Sequence, residues 1–180
     1  EIQRLSSVFK TATRWVTYAT IPMFIFLTFS AKEVIMLFGK AYTETGYLVL
    51  IILSFGQLVS CITGGVGYTL IMTGKQNIEL ANSLVLVILN IILNIFFIQK
   101  YGAIGAAVAT SISVTAINIA RFLEVYFIYK MVPFSYNTAK IIIPAVICIL
   151  LLYFLPVNFL PNIKILFVFF STIIIFTLAL

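Results

Sequence analysis

Read for its apolar and polar positions, the chain falls into long stretches without formal charge, separated by short polar or basic links. No Asp, Glu, Lys or Arg occurs between Glu44 and Lys75, Glu79 and Lys100, Lys100 and Arg121, or Lys140 and Lys164. Each of these stretches holds about 20 residues or more, enough for an α-helix to cross a hydrocarbon core of roughly 30 Å. The runs are continuous rather than alternating, which excludes the pattern of a transmembrane β-barrel. The fold class expected is therefore all-α, a polytopic transmembrane helix bundle of about six spans.

The spans are expected near 15–31, 47–73, 80–99, 103–129, 141–155 and 165–180, so that residues 15–180 form one transmembrane domain. Residues 1–14 are polar and basic and read as a cytoplasmic loop or surface helix. Trp15 and Tyr18 are placed as interfacial anchors of the first span, and Pro22 is a plausible kink. Gly74-Lys75 closes the second span, Pro133, Ser135 and Asn137 mark a loop, and Pro156 with Pro161 bounds another. The sixth apolar run, from Ile165, continues to Leu180, and the chain reads as part of a longer transporter.

Composition sharpens this picture. The chain is 63% hydrophobic and 9% charged, with a mean hydropathy of +1.20, whereas a soluble domain is about half apolar and a quarter charged. There is too little polar surface to cover a water-soluble globule, so the partner of most of this surface is a lipid bilayer. The net charge of +6 sits at the ends of hydrophobic runs, where it anchors helices rather than binding nucleic acid. Counted by side, Arg4, Lys10, Arg14, Lys75, Arg121, Lys130 and Lys140 face Lys32, Lys40, Lys100 and Lys164, so the richer, N-terminal side is expected in the cytoplasm.

Inside the spans the informative residues are small or polar. Taking about 100° per residue, Gly56, Ser60 and Gly64, with Thr63 and Gly67, share a face of the second span. Gly105, Ala109 and Ser113, with Gly102, Ala116 and Ala120, lie within roughly 80° on the fourth. Such faces let helices approach closely in lipid, where packing and interhelical hydrogen bonds replace the hydrophobic effect. On the third span Ser83, Asn90 and Asn94 lie within roughly 40°, with Asn82 to one side. An amide in hydrocarbon needs a partner. These residues are either interhelical glue, the more ordinary role, or the wall of a substrate cavity suited to sugar hydroxyls. Arg121 and Glu124, three residues apart late in the fourth span, are close enough to form an interfacial ion pair.

Absent residues narrow the chemistry. The sequence has no histidine and no aspartate, and its five acids are glutamates. Histidine-based acid/base catalysis, zinc sites with histidine ligands and the aspartate pairs of many glycosyltransferases are thereby removed. No P-loop occurs. Cys61 and Cys148 stand alone in apolar runs, without metal or redox spacing. The chain is expected to be no enzyme, with no catalytic residue, no metal and no cofactor.

Several motifs then fall in order. Ile35-Met36-Leu37-Phe38-Gly39-Lys40-Ala41-Tyr42 is followed by Leu70-Ile71-Met72-Thr73-Gly74-Lys75. Next come Asn90 to Asn94, Ile98 to Ala107 with its Tyr101-Gly102 and Gly105-Ala106-Ala107, and Ala109-Thr110-Ser111-Ile112-Ser113. Their order and spacing over roughly half the chain resemble the multidrug/oligosaccharidyl-lipid/polysaccharide (MOP) exporter superfamily. The best match within it is the Wzx-type flippases of O-antigen and polysaccharide repeat units, in the polysaccharide biosynthesis C-terminal domain. The resemblance implies a MATE-like transporter of two six-helix lobes around a central cavity, of which this chain supplies most of the C-terminal lobe. It further implies a multi-pass protein of the inner or plasma membrane, a polyprenyl-linked oligosaccharide as substrate, and a partner N-terminal lobe in the same protein.

The function expected is flipping of lipid-linked repeat units by alternating access. The alternatives are a multidrug/cation antiporter or a peptidoglycan-precursor flippase of the same superfamily, and a non-transporting scaffold of polysaccharide assembly. An antiporter would need membrane-embedded acids, and no acid lies mid-span. The topology is testable first. With single cysteines in a variant lacking Cys61 and Cys148, an impermeant thiol reagent on intact cells should label position 100 and spare positions 75 and 130. The reverse pattern overturns the orientation.

Overall fold

The computed structural model describes residues 2–132 together with 145–146 and 149–150. All of its regular elements are helical: α1 (Ile2–Phe29), α2 (Ala31–Met36), a 3-10 turn (Lys40–Tyr42), α3 (Thr43–Ile62), α4 (Val66–Met72) and α5 (Gln76–Tyr129). The spans expected near 141–155 and 165–180 lie outside the described residues except for those four positions.

α1 joins the expected surface segment and first span into one helix that continues through Pro22. Two of its hydroxyls serve its own backbone, Thr17 Oγ1 donating to Thr13 O and Thr28 Oγ1 to Phe24 O, each at 2.8 Å. The same back-bonding recurs at Thr63, Thr69, Thr73 and Ser113. A hydroxyl that bonds the preceding turn crosses hydrocarbon at little cost. Cations mark opposite ends of the bundle over aromatic rings: Lys32 Nζ lies 4.9 Å from the Tyr47 ring, and Lys130 Nζ 5.4 Å from that of Tyr126.

The second span departs from the expected single helix over 47–73. α3 ends at Ile62, Thr63-Gly64-Gly65 forms a break, and α4 resumes at Val66. Gly64 takes φ +75, and a Cβ there would stand 2.3 Å from Thr13 Oγ1 of α1. Backbone conformation and the approach of α1 thus both require glycine, and the small-residue face of Gly56 and Ser60 stops being helical at Gly64.

α5 merges the third and fourth spans. Its 54 residues would make a rod of about 81 Å, more than twice the hydrocarbon core. The chain instead turns at Gly102, whose φ of 56° and ψ of −129° are non-helical and accessible essentially to glycine alone. The limbs, 76–101 and 103–129, run antiparallel, as shown by contacts pairing Phe97 with Gly105, Asn90 with Thr110 and Glu79 with Arg121. Close to the turn the backbones almost touch, since a Cβ on Gly105 would lie 2.1 Å from Phe97 O. The hairpin puts Lys75 and Lys130 at its open end and Lys100 at its turn.

The second limb is the central helix. Gly105, Ala107, Ala109, Ser111 and Ser113 are all buried, and positions two apart lie on nearly opposite sides of a helix. Burial on both sides fits a helix held between the first limb and α3. Ala109 and Ser113 are wholly inaccessible. By contrast the first limb exposes a broad apolar surface, including Leu84, Ile88, Ile91, Ile95 and Phe96, as a lipid-facing helix does. At the open end Phe9, Val66, Leu70, Val125 and Met131 form an apolar cluster tying α1 and α4 to α5.

The two glycines of the turn should respond differently to substitution. Gly102 has nothing within 4 Å of its missing Cβ, so Gly102→Ala should cost only the backbone strain, about 1–3 kcal/mol. Gly105→Leu and Ala109→Leu should instead push the limbs apart, lowering folding yield and thermal midpoint in detergent well below Gly102→Ala. Wild-type midpoints for both leucine variants would mean that this face meets lipid.

Candidate functional site

Three polar groupings lie on or against the α5 hairpin. The first closes its open end. Arg121 donates from Nε to Glu79 Oε2 at 3.0 Å and from Nη2 to Glu79 Oε1 at 2.5 Å, a forked pair with each side chain only 14% exposed. Arg121 Nη2 also reaches Ser83 Oγ at 3.3 Å, and Ser83 Oγ lies 3.4 Å from Glu79 Oε1. Beside them Asn82 Nδ2 donates to Glu124 Oε2 at 2.6 Å. Across from Glu79 stands Gly67 of α4, where a Cβ would be 3.1 Å from the carboxylate. The expected Arg121–Glu124 pair is therefore corrected: both groups are engaged across the hairpin. Two-pronged geometry with a facing carboxylate is available to Arg121 there, while Glu124 finds an amide donor.

The second grouping lies midway along the hairpin. Asn90 Nδ2 donates to Thr110 Oγ1 of the second limb at 3.4 Å. Asn94 Nδ2 lies 2.8 Å from both Asn90 O and Asn90 Oδ1. The three cavity candidates thus separate. Ser83 joins the ionic cluster, and Asn90 and Asn94 bond to one another and to the neighbouring limb.

The third grouping is an open groove of about 520 Å³ between α1, α3 and the second limb of α5. Its apolar wall includes Met23, Phe24, Leu27, Leu53 and Leu58, and its polar positions are Thr20, Ser54, Gln57, Thr110 and Ser111. Gly56 sets its floor. A Cβ there would lie 3.0 Å from Ser111 Cα, and Ser111 Oγ donates to Ile52 O at 2.8 Å, fastening α3 to α5. Ser60 is half-buried one turn beyond, and its carbonyl takes the Thr63 hydroxyl at 2.9 Å.

None of Ser83, Asn90 and Asn94 lines this groove. Gln57, Thr110 and Glu79 are the residues that sequence reasoning passed over. Gln57 carried a signal, being a carboxamide in the middle of an uncharged apolar run. Glu79 gave less, because its partner lies 42 residues away. Among the described residues no three of His, Cys, Asp and Glu gather in the manner of a metal site.

Removing one member of the Glu79–Arg121 pair strands the other charge in a poorly solvated place. Glu79→Gln or Arg121→Gln should each cost roughly 3 kcal/mol, and the double variant should cost less than the two single losses combined. Thermal unfolding of the four proteins in detergent measures this coupling. Strict additivity would mean that the pair contributes nothing specific.

No family model matches the chain. It is 37% identical over 97 residues to the capsular polysaccharide biosynthesis protein CapF of Staphylococcus aureus, an alignment covering 54% of this chain and 23% of that protein. Over 138 residues it is 29% identical to the probable low-salt glycan biosynthesis flippase Agl15 of Haloferax volcanii, covering 76% of this chain and 29% of that one. The chain thus spans between a fifth and a third of the length of these two relatives. Its fold is that of part of the lipid II flippase MurJ in an inward closed conformation, with a TM-score of 0.78 at 22% identity over 95% of this chain and 37% of that one. By sequence the chain is thus similar to part of two proteins named for capsular polysaccharide and glycan biosynthesis, and its fold is an all-α transmembrane bundle of the kind that MurJ contains.

Proposed function

We propose that the protein containing this chain moves lipid-linked oligosaccharide repeat units from one membrane leaflet to the other by alternating access, during polysaccharide biosynthesis. In this reading the chain supplies most of a C-terminal lobe, packs against an N-terminal lobe of the same protein, and works as a multi-pass transporter in the cell membrane without a catalytic step. The observation that carries the reading is the sequence likeness to two proteins named for capsular polysaccharide and glycan biosynthesis.

The distribution of polar groups supports the same substrate. A polyprenyl-linked glycan has a large, hydroxyl-rich head and a long apolar tail. Hydroxyls and amides occur at mid-span depth, whereas Glu79, Arg121 and Glu124 lie together at the open end of the hairpin and are bonded there. A cation antiporter needs a carboxylate free to bind its ion within the membrane, so this placement favours a sugar carrier over an antiporter.

Deleting the gene for the full protein from its native cell should make lipid-linked repeat units accumulate on the cytoplasmic leaflet and abolish the surface polysaccharide. Leaflet location is read by accessibility of the glycan to an impermeant glycosidase or lectin, and surface polysaccharide by staining of intact cells. Normal surface glycan in a strain without a redundant flippase would refute the reading and promote the antiporter. Loss of peptidoglycan synthesis instead would assign the protein to peptidoglycan precursors.

A further inference from the structure

We infer that the groove between α1, α3 and the second limb of α5 is a binding site for an uncharged, hydroxyl-bearing headgroup, with Gln57 as the residue that reads it. This rests on the flippase reading and places the sugar part of the substrate inside the lobe.

Gln57 carries the inference. It lies in α3, a helix long and apolar enough to cross a membrane, in the uncharged stretch between Glu44 and Lys75. Its side chain is exposed and lines the groove. Among the described residues its carboxamide makes one bond, from Nε2 to Cys61 Sγ at 3.7 Å, and sulfur is a weak acceptor. An amide has two N–H donors and a carbonyl acceptor, and leaving such a group unmatched in hydrocarbon costs several kcal/mol by transfer scales. Four other polar side chains at mid-span depth, Asn90, Asn94, Ser111 and Ser113, bond within the protein. Gln57 alone among them turns its hydrogen-bonding capacity into an open volume.

The lining specifies the ligand class. Five amide or hydroxyl positions face five large apolar side chains, and no charged residue lines the groove. A phosphate or a cation would find no countercharge there. A sugar ring offers hydroxyl edges to the polar positions and C–H faces to Met23, Phe24 and Leu53. Thr110 lines the same groove, and its oxygen accepts from Asn90 on the first limb, which fixes its side chain. Asn90 is thus a positioning residue acting through Thr110. The volume, about 520 Å³, falls within the range of small-molecule sites.

Of the described residues that follow α5, Ala145 packs on α1 away from the groove. Ala145 packs with Ile25, Tyr18, Ile21 and Phe29, whereas the groove takes Ala19, Thr20, Met23, Phe24 and Leu27 of the same helix. At about 100° per residue these two sets lie on opposite faces of α1.

Cys61, which also lines the groove, provides a native reporter. In the full protein with Cys148→Ser, a small hydrophilic thiosulfonate should modify Cys61. A polyprenyl-diphosphate-linked oligosaccharide isolated from the host's membranes should slow that reaction, while polyprenyl phosphate without sugar should not. Gln57→Leu should weaken the protection about three- to tenfold, the worth of one or two neutral hydrogen bonds, and Gln57→Asn should retain part of it. Equal protection by the sugar-free lipid would overturn the proposal, because the groove would then hold the tail. So would an unreactive Cys61, or unchanged protection in Gln57→Leu. If surface polysaccharide still depends on the protein in those cases, the flippase reading stands without this site. If the deletion strain keeps its polysaccharide, that reading has failed on its own.

Discussion

A peptide or side-chain polar group placed in hydrocarbon has no water to bond, and must find its partner inside the protein. In this chain that requirement is met first by helices, whose backbone groups bond within one segment, and then by hydroxyls that bond back onto their own helix. Thr17, Thr28, Thr63, Thr69, Thr73 and Ser113 all do so. Other side chains find their partners across the α5 hairpin. Glu79 and Ser83 take Arg121, Glu124 takes Asn82, and Thr110 takes Asn90. The hairpin is therefore held at its open end by charge-assisted bonds, at mid-length by an amide–hydroxyl bond, and at its turn by direct backbone contact.

That arrangement depends on glycine at two kinds of place. Gly102 and Gly64 supply backbone conformations that side chains with a Cβ rarely adopt. Gly105 and Gly56 supply proximity, letting one backbone meet Phe97 and the other meet Ser111. The result is a second limb buried between two helices and faced with small residues. Close approach of this kind replaces the hydrophobic driving force that lipid does not provide. It also leaves the larger apolar side chains on the outer surface of the first limb, where lipid solvates them.

Within this frame the ionic cluster and the groove have different characters. In the cluster at the open end Glu79, Arg121 and Glu124 each have a partner, and α4 presses a glycine against the Glu79 carboxylate, so that end is knit together. In the groove an amide stands open between hydroxyls and apolar walls, as suits a ligand with both kinds of surface.

The sequence by itself determined the solvent and the helical class, because burial in lipid demands about 20 consecutive residues without charge, and such runs are visible by inspection. It also carried the likeness to polysaccharide flippases, through motifs set by local turns such as Tyr101-Gly102. Only the tertiary structure decided the partners. Spacing rules see neighbours three or four residues apart, so they offered Glu124 to Arg121, while the hairpin delivered Glu79 from 42 residues away. Periodicity found the face of Gly105, Ala109 and Ser113 but not the opposite one of Ala107 and Ser111, since it cannot tell a helix packed on one side from a helix packed on two. For the same reason Asn90 and Gln57 look alike in the sequence. Which of them is bonded inside the protein and which opens onto a groove is a matter of the helices around them.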